Sequence, residues 1–476
     1  MKVLKNYLWN SSYQLFVLIV PFVTIPYVSR VLGPSGIGVN AYTNSIIQFF
    51  ILFGSLGFSL YGNRETAYHR SDKYEYSKIF WEVLFLRAIA VLFVSFIFFI
   101  FLFFYSDYRQ ALVMQYFALL SVAFDITWFF MGMEDFKVTV IRNIFVKLIS
   151  VLAIFTFIRD SKDLVLYIFI LSFSTLLGNL TMFPYLRKYL VSVPLNKLRL
   201  FRHLRPTLIL FVPQISINIY IILNKTMLGK MDSVTAAGYF DNADKLIKVL
   251  LMVITATGSV MLPHIANAYA NHEFKKIKSS LYFFFSFDSI LAIPMMFGVI
   301  AISRSFAVWF FGKDFSMVGN IMQIEALVIP IMAWSNVVGA QYLLPQNRNK
   351  EYTIAVTIGA VLNLILNIPL ILVWGASGAA VATVISEAGV TSYELYTISG
   401  EIKIKSLFHE IWKFIFAGAV MCFTVLFLNR NISFGIGTLL FDALTGVLIY
   451  GSCLLVLRPT FLMNLITKVV TKYKRK

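Results

Sequence analysis

Residues 27–50 read YVSRVLGPSGIGVNAYTNSIIQFF. An apolar run ends at Leu32, the stretch Gly33-Pro34-Ser35-Gly36 breaks the chain, and a second run begins at Gly38. Two hundred residues on, residues 228–249 read LGKMDSVTAAGYFDNADKLIKV and repeat the plan with a break four residues longer. From Gly38 and Gly238 the copies align without gaps, which sets Asn44 on Asp244 and Gln48 on Lys248. An even number of apolar runs separates them. The repeat therefore predicts two halves of one topology, related by a two-fold axis along the membrane normal.

The surrounding composition says what those runs are. Of 476 residues, 59% are hydrophobic and 13% charged, against about 25% charged in a soluble domain, and mean hydropathy is +0.78. A soluble fold of this length has no interior large enough for so much apolar surface. Runs of roughly 20 apolar residues number about fourteen. The expected fold is an all-α polytopic membrane protein. Residues 1–200 and 201–402 form two pseudo-symmetric six-helix lobes, and 403–476 add two C-terminal spans and a basic tail. The two longest links, near 187–204 and 263–280, leave no room for an extramembrane catalytic domain.

A net charge of +18 in such a chain reflects basic cytoplasmic loops and attraction to anionic lipid, not nucleic acid. With both termini placed inside, the inner loops hold about four times the Lys and Arg of the outer ones, which supports an even number of spans. No G-x-x-x-x-G-K-[ST], H-E-x-x-H or G-x-S-x-G occurs, so nothing points to nucleotide hydrolysis, a metal or a serine nucleophile. The expectation is a protein without cofactor, metal or enzymatic activity. Cys422 and Cys453 read as free thiols in apolar surroundings.

Charges within apolar runs cost about 2.5–3.5 kcal/mol each at the bilayer centre and demand partners or a wet cavity. The densest set is Asp241, Asp244, Lys245 and Lys248, at i, i+3, i+4 and i+7 on one helix face. It reads either as a self-neutralised helix or as the lining of a chamber. The chamber reading is favoured because Asn44 and Gln48 occupy the matched face of the other copy. Lys245 and Lys248 would then bind an anion, and Asp241 and Asp244 would be candidates for coupling to a cation. Arg30 and Lys225, each just before a Leu-Gly, are snorkelling anchors or further anion contacts. Asp125, about two turns into a span, is a third coupling candidate or a helix–helix contact. Asn10, Gln14, Pro21 and Thr24 share a face of the first span. Pro21, Pro26 and Pro213 are expected to bend helices, as hinges or packing kinks. Arg64 and Glu65 read as interfacial anchors or gate residues. Asp288, Glu325 and Glu387 stand isolated and carry no assigned role, and the five His read as loop or interface residues.

YVSRVLGPSGIGVNAYTNSIIQFF, GSLGFSLYGNRETA, DITWFFMGMEDF and LGKMDSVTAAGYFDNADKLIKV together resemble the Wzx-type oligosaccharide flippases of bacteria. These belong to the multidrug/oligosaccharidyl-lipid/polysaccharide exporter superfamily. The resemblance covers nearly the whole chain through R-x-L-G-x-x-G-x-G and D-x-x-W-x-x-x-G-x-E. It implies two six-helix lobes around a central cavity and transport of an undecaprenyl-pyrophosphate-linked repeat unit to the outer leaflet, for capsule, exopolysaccharide or O-antigen assembly. It carries over Arg30, Gly33, Asp125, Trp128, Glu134, Asp241 and Lys245, with Gly33 and Glu134 at gates and Trp128 against sugar. One departure is Asn224, where many relatives hold an acid.

The expected partners are therefore the lipid-linked oligosaccharide, membrane lipids, and the polymerase and glycosyltransferases of one pathway, in a bacterial plasma membrane. A pyrophosphate cannot cross hydrocarbon unaided, and Lys or Arg at lowered dielectric attracts it strongly. The rivals are a multidrug/cation antiporter, a membrane-embedded polysaccharide polymerase, and a scramblase or structural bundle without directional transport.

Overall fold

The computed structural model describes residues 2–255 and 258–474; the side chains of Asn10, Gln14 and Pro213 lie outside the described residues. The described residues form helices and no strand. Nine helices among them are long and apolar enough to cross a membrane, or ten with Lys313–Glu325 and Val328–Gln346, which meet at 44°.

Two of the nine, Ile19–Tyr68 and Asn349–Ile398, hold 50 residues each, about 75 Å of helix. The hydrocarbon layer is about 30 Å thick, so each is long enough for two crossings. The breaks fall at glycines in the left-handed region, Gly33 (φ 68°) and Gly375 (φ 55°), where a side chain would be strained. Pro21, Pro26 and Pro34 all sit inside the first long helix; the backbone leaves helical geometry at Gly33. Leu204–Met231 and Val234–Thr255 have spanning length but fall outside the apolar set; the second carries the Asp241–Lys248 stripe. The arrangement is compatible with fourteen spans. The link expected near 263–280 is mostly helix, since Gly258–Ala270 and Phe274–Phe311 leave three residues between them.

The chain divides into two compact units, Met1–Gly238 and Tyr239–Lys476, so Leu204–Met231 falls in the first. The core of the first unit gathers Phe58, Tyr61, Phe80, Trp128, Phe129 and Phe130, with a second cluster of Tyr42, Ile47, Phe98 and Leu119. The second unit packs Phe285, Ile293, Val338, Tyr342, Phe414 and Met421. Large apolar side chains remain outside both cores, Phe103 and Phe104 at 80% and 81% exposed and Phe423 at 74%. On a soluble protein this would invite aggregation; on a spanning helix it is the lipid-facing surface.

Candidate functional site

Within the first unit, Gly62 and Gly132 let two of the motif segments interlock. A side chain at 62 would strike the Trp128 ring, and one at 132 would strike Thr66 and the Asn63 carbonyl. Trp128 is fully buried, 5.6 Å from the stacked Phe80 ring. It is a core residue in this conformation. At the rim of this contact, Arg64 pairs with Glu65 at 3.1 Å and Arg70 with Glu134 at 2.7 Å, Glu134 holding a left-handed φ of 55°.

Asp125 lies where one span breaks between the helices Arg109–Ala123 and Thr127–Gly132. Its Oδ2 faces Arg87 Nη2 at 3.1 Å, and Arg87 Nη1 donates to the Asp125 carbonyl at 2.9 Å. Oδ1 accepts from the Thr127 amide and hydroxyl at 3.1 and 2.5 Å. The carboxylate thus closes the helix break and neutralises an arginine that is 3% exposed.

A second buried network escaped the sequence reading. Glu82, fully buried in the helix Lys73–Phe104, accepts from the Arg199 amide at 2.6 Å and from Arg202 Nη2 at 2.6 Å. Its Oε2 also meets His203 Nε2 at 2.7 Å, and His203 Nδ1 meets the Tyr61 hydroxyl at 2.6 Å. A neutral imidazole fits this chain, donating to Glu82 and accepting from Tyr61. Burial pushes the His203 imidazole below its ordinary value against the pull of Glu82. The group ties the segment before Leu204 to two helices. The available signal was a lone acid in the apolar run Ile79–Leu86, which must find a cation.

Asn44 is half-buried, its Nδ2 3.5 Å from Gln115 Oε1; Gln115 also bonds Asn40 at 3.4 Å and accepts from Ser172 at 3.4 Å. Gln48 is half-buried, Arg30 exposed and Lys225 half-buried. Gly38 and Gly238, the first residues of the two aligned copies, approach backbone to backbone: a side chain at 238 would lie 2.7 Å from the Gly38 Cα.

In the second unit the stripe forms both expected pairs, Asp241 with Lys245 and Asp244 Oδ2 with Lys248 Nζ at 2.7 Å. The partners are unequally placed. Side-chain exposure is 5% for Asp241 but 47% for Lys245, and 15% for Asp244 but 37% for Lys248. Each pair buries its acid and leaves its ammonium accessible. Asn44 and Gln48 belong to the first unit and this stripe to the second. Among the described residues no group of three His, Cys, Asp or Glu could hold a metal ion.

Two family models match the chain: "Polysaccharide biosynthesis protein" over residues 3–269 and "Lipid II flippase MurJ" over residues 144–445, each more than half its length. The probable low-salt glycan biosynthesis flippase Agl15 of Haloferax volcanii is 29% identical over 241 residues, 49% of this chain and 50% of that protein. The lipid II flippase MurJ of Bacillus subtilis is 26% identical over 141 residues, 29% of this chain and 26% of that one. The chain spans about half the length, or less, of the curated relatives it matches. A solved lipid II flippase MurJ in an inward closed conformation shares the fold over 97% of this chain and 100% of its own, at TM-score 0.73 and 18% identity. An inward-facing MATE multidrug transporter shares it over 82% and 98%, at TM-score 0.62 and 11% identity.

Proposed function

Because the chain belongs to the polysaccharide biosynthesis protein family, with a lipid II flippase match over its later part, we propose that this multi-pass membrane protein is a Wzx-type flippase. Its substrate is an undecaprenyl-pyrophosphate-linked oligosaccharide repeat unit, moved from the cytoplasmic to the outer leaflet of a bacterial plasma membrane for capsule, exopolysaccharide or O-antigen assembly. Both termini are cytoplasmic, and the polymerase and glycosyltransferases of the same pathway are its partners. The family match carries this reading.

The chemistry of the stripe supports it. Lys245 and Lys248 present accessible ammonium groups on a spanning-length helix, each braced by a more buried aspartate. A pyrophosphate competes for such cations with charge-assisted hydrogen bonds worth about 1.5–3 kcal/mol each. As it binds, Asp241 and Asp244 lose part of their counter-charge and become able to take up a cation. Arg30 and Lys225 extend the anion path, Asn44 and Gln48 contact sugar, and the prenyl tail stays in lipid. Gly33, at a break in the backbone, and the Arg64–Glu65 and Arg70–Glu134 pairs are the elements that move during alternating access. Trp128 reaches sugar only if the Gly62 contact opens, and Asp125 takes part in coupling only if Arg87 releases it.

The test uses proteoliposomes loaded with a fluorescent undecaprenyl-pyrophosphate oligosaccharide. Protein-dependent transfer between leaflets, slowed by Lys245→Gln plus Lys248→Gln, is the expected result. A chain that leaves this lipid in place but expels a cationic dye would instead be a drug antiporter.

A further inference from the structure

Glu394 is fully buried near the end of the helix Asn349–Ile398, and the anion stripe does not involve it. It faces a π-helical turn, Asn336–Leu343. Gly339 in that turn lies directly against the carboxyl: a side chain there would collide with Oε1, and also with the Tyr352 ring at 3.0 Å. Ser335 brings a hydroxyl beside the carboxyl, yet neither Oε1 nor Oε2 holds a hydrogen bond of good geometry. Glu387, two turns back on the same helix, is 6% exposed.

The balance of charge decides the state of this group. An ionised carboxylate in a dry site costs several kcal/mol or more unless a cation and hydrogen bonds compensate it. The ionisable neighbour on the same helix, Glu387, is itself an acid and supplies no such cation. The neutral acid is the form that fits. The turn beside it is of the kind found at functional sites. If it relaxes to a regular helix, the register shifts by one residue, a rotation of about 100°, and Gly339 leaves the carboxyl open to water.

We propose that Glu394, seated against the π-helical turn at Gly339, is a proton-binding site that holds its proton in this conformation and releases it to water when the turn rearranges. The carboxylic O–H breaks, a carboxylate remains, and the proton leaves as hydronium. The link to transport rests on the flippase reading; proton binding does not.

Infrared spectroscopy of the purified full-length protein at neutral pH tests the binding. The expected result is a carboxylic-acid C=O band that disappears in Glu394→Gln and shifts in Glu394→Asp. An unchanged band in both variants overturns the proposal, and if the Gln variant fails to fold, the Asp variant decides alone. In proteoliposomes with an imposed pH gradient, a wild-type flipping rate that follows the gradient and a Glu394→Gln rate that ignores it support the coupling. Equal responses of the two proteins refute the coupling while flipping stands. A wild type that flips no lipid but loses the band in Glu394→Gln removes the flippase reading and keeps the proton site.

Discussion

Charge pairs in the two units hold buried acids in two ways. In the first, Arg87 meets Asp125 and Glu82 meets Arg202 and His203, each pair joining chain segments at least 38 residues apart. In the second, Asp241–Lys245 and Asp244–Lys248 pair within one helix, one turn apart. A pair that crosses between segments fixes how they pack, and removing one member strands the other in a dry interior. An intrahelical pair by itself joins no second segment, and the Lys245 and Lys248 ammonium groups stay accessible. The first pattern builds a scaffold; under the proposed function the second is the site that answers to a ligand.

The largest effect that would break this comparison lies at Arg87. Asp125→Ala leaves a buried guanidinium without its counter-charge and is expected to cost about 3–5 kcal/mol, read as a lower unfolding temperature in detergent. Arg87→Leu plus Asp125→Leu should recover most of that loss. A single variant as stable as wild type would show that the pair does not hold the scaffold.

Next in size is Gly62→Ala, which presses a methyl into the Trp128 ring. Overpacking of this kind costs about 1–3 kcal/mol, measurable by the same melt together with a change in Trp fluorescence. At the stripe, Lys245→Gln plus Lys248→Gln removes half-exposed cations from more buried aspartates but leaves an amide donor to each. The stability loss should therefore stay below that of Asp125→Ala, about 3–5 kcal/mol. Flipping should nevertheless fall roughly tenfold or more. Equal losses of stability and flux would make the stripe part of the scaffold and erase the contrast.

The smallest effect is a pH response at His203. Its folded-state value lies below the ordinary 6.5, so the undocked segment binds protons more readily than the docked one. Docking is therefore fully stable above the ordinary value and weakens as pH falls through it. Hydrogen exchange over 195–207 should speed up as pH drops from 7.5 to about 5.5 after correction for intrinsic rates, and His203→Gln should flatten the response.

The spans, the break at Gly33 and the charged stripe were all legible in the sequence, because apolar length, glycine chemistry and i,i+4 spacing are local properties. Pairings across the fold were not. Arg87 and Asp125 lie in different apolar runs, and their meeting depends on how two helices pack. Glu82 and His203 come together over 121 residues, and a histidine beside a basic loop looks like any surface histidine until a buried acid faces it. Nothing in the sequence singles out Glu394, an acid near the end of a long apolar run. The π-helical turn that gives it meaning leaves no mark in the residues 336–343. Trp128 shows the converse: its motif reads as a sugar contact, and its side chain forms a core.

The most direct test of the central claim is the leaflet in which the lipid-linked repeat unit accumulates. Cells would be compared with the protein deleted, restored, or carrying Lys245→Gln plus Lys248→Gln, using an impermeant sugar-modifying probe. Inner-leaflet accumulation is expected in the deletion and in the double variant, with outer-leaflet delivery restored by the wild type. Outer-leaflet delivery in the deletion, in a strain lacking any second flippase, would contradict it.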